Sequence, residues 1–424
     1  MNGQIRNIKK GIATLVKNGI PHIVGSSVIN YGLSFLLNIV IVRFMSQNDF
    51  GNFSYAYNIV SFVLIFSGFG IDAGILQFCS ETVENRRERL WFGYIYGTAI
   101  NAVLALILFI YSIAGHMALP GSREILCLFS LWPVIFFTYT YFCIGLRATK
   151  KNQDFARITN LNSFIRTLSG ISLTVLLGVS GYVYSFYLAA IAASFYILYK
   201  YRKKLRGIIY RTKFEIGKHI ELMKYSLVCM ANNGLSQLLL IIDVQLIGSL
   251  MNSPEDVAIY KASTQIPNNM FFITSSVMVA VYPYFARMKD HKEWIKKYTK
   301  ILIAGLSAIN LPIGLLMIFA SREIISVIYG ADYLEAVPIF QALGLSYIFS
   351  TMMRIPFGNI LAMMRKVKIN FWNSLVSGIV NVVLDVIFIK RIGPLGAAYA
   401  TLGVVTVSSL ISIVFYYNSV KTKS

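Results

Sequence analysis

Six ionisable residues stand inside otherwise apolar runs of this 424-residue sequence: Asp72, Arg166, Asp243, Lys261, Arg354 and Asp385. A seventh, Arg43, stands at the end of such a run. None belongs to a pattern that makes or breaks bonds, since no GxxxxGK[ST], HExxH, CxxC pair or GxSxG occurs. The four cysteines, Cys79, Cys127, Cys143 and Cys229, fall in apolar runs without metal or disulfide spacing and read as small packing residues. No metal or cofactor is expected. What these charged side chains can do is hold ions: a guanidinium grips an oxyanion bidentately, and a carboxylate takes a cation or links helices.

The elements that must carry these charges follow from composition. The chain is 56% hydrophobic and 13% charged, against roughly 25% charged in ordinary globular domains. Its mean hydropathy is +0.63. A soluble fold cannot bury that much apolar surface, so a polytopic membrane protein is expected. Apolar runs of about 20 residues, bounded by charges or turn residues, predict twelve helices. They lie near 20–44, 53–79, 91–115, 123–146, 158–178, 182–199, 222–250, 257–285, 299–319, 335–362, 370–389 and 395–417. The fifth and sixth touch at GVSGY. Lipid offers no partner for backbone polar groups, which leaves helices as the form these runs can take. Six prolines fall within the spans (Pro133, Pro267, Pro283, Pro312, Pro338 and Pro356) and are expected to kink them.

The net charge of +21 suggests nucleic acid at first sight. No soluble module exists to present it, so no nucleic-acid partner is expected. With the N-terminus placed in the cytoplasm, 31 Lys and Arg residues fall on the inner side and 5 on the outer. That is a positive-inside signature for cytoplasmic N- and C-termini. The basic start, MNGQIRNIKKGIATLVKNG, has no small-residue cleavage site before the first apolar run and reads as retained. The basic loops have two readings, topogenic or gathering of anionic solute; Lys203, Lys204 and Arg206 carry the second.

The longest loop separates an N-terminal lobe (1–200, helices one to six) from a C-terminal lobe (222–424, helices seven to twelve), with a basic cytoplasmic linker at 201–221. Six crossings per lobe give a parallel repeat. SQNDFGNFSYAYNI (46–59) and SPEDVAIYKASTQI (253–266) support it: at an offset of 207, Asp49 meets Asp256, Phe53 meets Tyr260 and Ile59 meets Ile266. The predicted fold is therefore an all-α membrane protein whose two six-helix lobes are related by a parallel pseudo-two-fold repeat.

Within that frame each charge has a place. A mid-membrane Asp or Arg costs roughly 2.5–3.5 kcal/mol on insertion scales, so it faces a bundle interior or wet cavity. Asp72, in GFGIDAGIL with Gly68, Gly70 and Gly74, is a solute or cation contact or else a buried polar link. Asp243 and Lys261, on adjacent helices at similar depth, are expected to meet as an ion pair or through water; Lys261 alternatively snorkels. Asp385 stands five residues before Lys390, an unfavourable helical spacing, and reads as a structural pairing partner. Short outer loops leave no surface to host extracellular catalysis, so the protein is not expected to be an enzyme. Moving a solute across the membrane remains.

Several stretches resemble a known family. NDFGNFSYA and DVQLIGSLMNSPEDVAIYKASTQIP resemble the loop after the first helix of each lobe in polysaccharide flippases. IISVIYGADYLEAVPIFQAL, IGPLGAAYATLGVV and AVYPYFARM resemble their ninth-to-tenth connection, the start of their twelfth helix and the end of their eighth. The matches keep the family's order along the whole chain. The sequence resembles Wzx-type O-antigen or exopolysaccharide flippases of the multidrug/oligosaccharidyl-lipid/polysaccharide exporter superfamily.

That resemblance implies two lobes around a central cavity in the cell inner membrane, lined by helices one, two, seven and eight. The cargo would be an undecaprenyl-diphosphate-linked oligosaccharide repeat unit turned from the cytoplasmic to the periplasmic leaflet, with an ion gradient or membrane potential driving uphill cycling. Arg166 and Arg354 would then hold the diphosphate, unless each caps a carbonyl or pairs with a buried acid such as Asp385. Asp72, Asp243 and Lys261 complete the expected cavity set. Partners implied are the lipid-linked oligosaccharide and membrane lipid, with a polysaccharide polymerase and a chain-length regulator as further candidates. Two alternatives remain open: a multidrug exporter of the same superfamily and a membrane-embedded polymerase or glycosyltransferase.

Overall fold

The computed structural model describes residues 20–81, 83–205 and 216–421. Every regular element among them is helical. Eight helices are long and apolar enough to cross a membrane, or nine if one bent pair counts as a span. The protein is thus a multi-pass membrane protein. The count differs from twelve for local reasons. The expected fifth and sixth spans are the two arms of one stretch, Asn152–Leu205, that folds at Gly178, and the expected seventh and eleventh are not among the spanning candidates in the described residues.

The early helices are α1 (Ile20–Phe44), α2 (Gln47–Leu64), α3 (Ile71–Glu81), α4 (Arg86–Ala114), α5 (Ser122–Leu128), α6 (Trp132–Ala148) and α7 (Asn152–Leu205). Then come α8 (Ile220–Met251), α9 (Pro254–Arg287), α10 (Lys292–Phe319), α11 (Ser321–Ile328), α12 (Val337–Phe349), α13 (Ile355–Met363), α14 (Val367–Ile392) and α15 (Pro394–Val420). Large apolar side chains point outward all along them, Phe319 at 81% exposure and Leu176 at 74%. In water such a surface would aggregate; against acyl chains it is the solvated surface.

Breaks in the helices sit at residues that tolerate them. Gly68, Phe69 and Gly70 all take positive φ between α2 and α3. Glycine bears this readily and Phe69 is held in it by its neighbours. Helices α5 and α6 bend by 46°. Gly178 (φ 62°, ψ −140°) folds α7 into two arms within GVSGY, where the sequence placed its boundary. Pro133, Pro338 and Pro356 stand in the first turn of a new segment, where a missing N–H leaves no bond unmade. Pro133 thus stands just after the 46° bend and Pro356 just after the π-helical turn Ser350–Arg354, as expected of kinking positions, whereas Pro338 opens its helix. Pro312 stands inside α10.

The chain divides into two compact units, Met1–Met45 with Ala56–Leu238 and Ser46–Tyr55 with Leu239–Ser424. The first has a core of Ile71, Ile75, Phe92, Phe137, Tyr141 and Leu222. There α3 lies hard against the first half of α8: a Cβ on Gly74 would fall 2.2 Å from Ser226 Oγ, and one on Gly70 2.5 Å from the Ser226 carbonyl. The second unit has a core that includes Ile295, Leu306, Ile360, Leu361 and Tyr416.

The repeated stretches acquire a physical meaning in the second unit. Ser46 Oγ accepts from the Asp49 N–H at 3.1 Å, and Ser253 Oγ accepts from the Asp256 N–H at 3.1 Å. Both repeats are helix N-caps, in which a serine satisfies one orphan donor and an acid sits in the first turn. The caps also touch. Asn48 Nδ2 donates to Glu255 Oε1 at 3.2 Å across the repeat offset of 207 residues. Beside them Gly51 crosses Pro254 so closely that a Cβ would fall 1.8 Å from the Pro254 carbonyl oxygen. Gln245 Nε2 donates to the Tyr55 hydroxyl at 2.8 Å.

Gly51→Ala therefore forces this crossing apart and costs about 1–3 kcal/mol. Thermal unfolding in detergent should show a lowered midpoint, whereas Gly305→Ala, which meets open space, should not. Equal midpoints for both variants would contradict the close crossing.

Candidate functional site

The densest buried polar cluster among the expected residues lies in the second unit, where four helices contribute. Helix α8 supplies Asp243, α9 Tyr260 and Lys261, α14 Asn381 and Asp385, and α15 Thr401. Asp243 Oδ2 accepts from the Tyr260 hydroxyl at 2.6 Å and from Thr401 Oγ1 at 3.2 Å, while its Oδ1 accepts from Asn381 Nδ2 at 3.2 Å. The same Asn381 amide donates to Asp385 Oδ2 at 2.5 Å. Four residues apart, Asn381 and Asp385 share one face of α14. Asp385 is fully buried, and its Oδ1 has no hydrogen-bond partner. Asn381 thus bridges the Asp243 and Asp385 carboxyls through one amide nitrogen.

Two buried carboxylates side by side cannot both stay bare. Their like charges repel, and burial removes the hydration that would offset the repulsion. A shared proton or a bound cation resolves it. The carboxyl and hydroxyl groups offer oxygen, which suits a hard cation rather than a soft metal, while Asn381 turns its amide N–H to both carboxyls. Among the described residues no group of three or more His, Cys, Asp or Glu could hold a metal ion.

The remaining expected residues are placed as follows. Lys261 is half-buried and makes no ion pair with Asp243; the Tyr260 hydroxyl holds that carboxylate instead. Of the two expected forms the direct ion pair is not made, while Lys261 stays close enough to attract Asp243 through space; the Tyr260 hydroxyl, one position earlier on α9, makes the direct bond. Asp385 pairs with Asn381 rather than with any cation, since the ion pairs among the described residues are Lys200–Asp154, His219–Glu88 and Lys296–Glu293. Arg354 ends a π-helical turn at Ser350–Arg354, half-buried, with no hydrogen bond or ion pair to a described residue. Such a bulge in a helix is a common mark of a functional position.

In the first unit, Arg166 stacks on Phe186 with its guanidinium carbon 3.8 Å from the ring centroid. The fold of α7 at Gly178 causes this, because it returns the second arm alongside the first. Tyr57, Phe129, Trp132 and Tyr182 surround Phe186, with ring centroids 5.3 to 5.5 Å away. Arg166 Nε is buried without a partner. Arg166 therefore neither caps a carbonyl through that nitrogen nor pairs with an acid; an aromatic cage holds it. Asp72 lies in the first turn of α3, just after the glycine break, with a buried Oδ1 that has no partner. Arg43 lies in the last turn of α1, favourable to the helix dipole. Arg206 and the side chains of Lys203 and Lys204 lie outside the described residues.

Sequence reading missed Tyr260, Asn381 and Thr401. Uncharged residues raise no alarm in an apolar scan. One signal existed: Asn381 precedes Asp385 by a helical turn, and Tyr260 is the repeat partner of Phe53 with a hydroxyl added. Removing that hydroxyl by Tyr260→Phe should cost about 1.5–3 kcal/mol, the range for a hydrogen bond to a charged group. Urea unfolding in micelles checks this, and unchanged stability would contradict the assignment of Tyr260 as the main support of Asp243.

Comparison with known proteins places this architecture. The chain is 20% identical over 409 residues to the "Putative O-antigen transporter" of Shigella flexneri, covering 91% of this chain and 93% of that one. It superimposes on lipid II flippase MurJ in an inward closed conformation with TM-score 0.73 and 16% identity, covering 94% and 87% of the two chains. It superimposes on a multidrug resistance MATE family transporter of the MOP superfamily, inward-facing, with TM-score 0.72 and 12% identity, covering 94% and 98%. The structural likenesses are of fold. The family profile described as polysaccharide biosynthesis protein matches residues 40–338, and the chain belongs to that family.

Proposed function

We propose that the protein is a flippase that carries an undecaprenyl-diphosphate-linked oligosaccharide repeat unit from the cytoplasmic to the periplasmic leaflet of the inner membrane. The observation that carries this is the family match over residues 40–338 on a multi-pass helical fold shared with a lipid-linked precursor flippase. On this reading the two arms of α7 are two crossings, the helices make twelve spans in two six-helix lobes around a central cavity, and both termini are cytoplasmic. The lobes are 1–200 and 222–424, joined by the linker 201–221.

Arg166 and Arg354 are the cationic groups for the diphosphate. Both suit the role: neither guanidinium is neutralised by a described acid, and burial strengthens each attraction. The Asp243–Asp385 cluster is the site for energy coupling. Exchange of a proton or cation there changes the net charge of a buried cluster tied to α8, α9, α14 and α15 at once, and so biases how those helices pack. Asp72 and Lys261 are held as further cavity residues. A polysaccharide polymerase and a chain-length regulator are candidate partners.

Expression in a strain lacking its own O-antigen flippase tests this. Restored surface polysaccharide supports the reading; drug resistance without polysaccharide supports a multidrug exporter; altered chain length with export intact supports a polymerase. In the same strain Arg166→Ala and Arg354→Ala should abolish export while the protein still inserts, and full export in both would remove the phosphate role. Asp243→Asn and Asp385→Asn should each reduce export to a small fraction of wild type. A fourth expectation concerns the touching caps. Cysteines at Asn48 and Glu255, once oxidised to a disulfide, should arrest transport reversibly by reductant; undiminished transport in the cross-linked protein would show that the caps need not part.

A further inference from the structure

Near the start of α7 a cleft of about 340 Å³ opens between that helix and α1. Ser26 and Ile29 line it from one side, and Gln153, Ala156, Arg157 and Asn160 from the other. Ser26 links the two sides, its single hydroxyl proton having both Asn160 Oδ1 and the Ala156 carbonyl within reach, the first the nearer. Asn30 Nδ2 donates to Ser26 Oγ at 3.3 Å, and Ser26 Oγ donates in turn to Asn160 Oδ1 at 2.6 Å. Ser26 is 4% exposed and is held from the other side by Thr159 Oγ1 at 3.0 Å and the Ala156 carbonyl at 3.2 Å.

This chain consumes the acceptor of Asn160 and leaves its amide N–H groups without an acceptor among the described residues. Arg157, exposed on the same face one turn earlier, donates no hydrogen bond and joins no ion pair among them. The nearest acid on its own helix, Asp154, bonds to Lys200 at 2.7 Å and to the Tyr201 hydroxyl, and attracts Arg157 only through space. No carboxylate lines the cleft. Beside Gln153, its polar wall is the Arg157 guanidinium and the Asn160 amide, both with N–H groups to offer, and the buried Ser26 hydroxyl beside the amide's oxygen.

We infer that this cleft is a phosphate-binding site, taking a phosphate ester oxyanion through Arg157 and Asn160, with Ser26 as the positioning residue. It is separate from Arg166: nine residues further along α7, Arg166 faces the aromatic cage on the opposite side of the helix. The phosphate can come from two sources, a phospholipid headgroup or the diphosphate of lipid-linked cargo. Only the second source rests on the flippase reading.

The test uses the full-length protein in micelles. Farnesyl diphosphate is titrated by calorimetry, and in a parallel arm native mass spectrometry counts retained phosphatidylglycerol. Arg157→Gln should weaken one of the two by about tenfold or more, the loss expected for a charge-assisted hydrogen bond. The affected arm names the source. Ser26→Ala should weaken the same ligand several-fold by releasing the Asn160 amide, while the exposed Arg322→Gln should leave both unchanged. If Arg157→Gln changes neither ligand, or if Arg322→Gln weakens both equally, the site is overturned. Unchanged binding in Arg157→Gln with export intact sinks the site and spares the flippase. Arg157-dependent binding without any export by the wild type does the reverse.

Discussion

An unhydrated charge inside a bilayer is the constraint on which this structure turns. Each costs a few kcal/mol even after the protein and lipid adjust. A chain that keeps six of them must give each an environment, and the structure shows three kinds. Asp243 and Asp385 share donors from Tyr260, Asn381 and Thr401. Arg166 lies on the face of Phe186, where the ring quadrupole stands in for water. Asp72 sits in the first turn of a helix that follows a break, where the helix dipole favours a negative charge. Among the described residues none of these four joins an ion pair, though Lys261 lies near enough to Asp243 to attract it through space.

The backbone is shaped around the same need. The break at Gly68–Gly70 gives Asp72 its helix start, and the fold at Gly178 brings Phe186 to Arg166. The bulge at Ser350–Arg354 displaces one arginine from regular helical spacing. Straight helices of the same composition would cross a membrane equally well. The break at Gly68–Gly70 and the bulge at Ser350–Arg354 occur beside charged residues, and the fold at Gly178 brings an aromatic ring to another.

Much of this was legible in the sequence. Length and apolarity gave the membrane class and the helices, because lipid leaves the backbone no other form. The GVSGY boundary and the glycines near Asp72 marked real breaks. The 46–59 and 253–266 echo was visible as a pattern, but not as a pair of serine N-caps in contact through Asn48 and Glu255. The partners of Asp243 were not legible either. Lys261 attracts attention as the opposite charge, yet which of two adjacent side chains reaches a neighbouring helix depends on rotation about the helix axis, and that is set by packing. The cleft at Arg157 was hidden among topogenic charges, since a cytoplasmic arginine near a helix start has an ordinary explanation until its surroundings are known.

The central claim is that the Asp243–Asp385 pair holds a proton or a cation whose exchange drives the cycle. Infrared difference spectroscopy of the carboxyl stretch, on titration with sodium and with base, tests it most directly. The account predicts a protonated-carboxyl band that is lost on adding sodium or base and is absent from Asp385→Asn. A spectrum with no carboxyl change in either titration, together with no sodium bound at equilibrium, would contradict it.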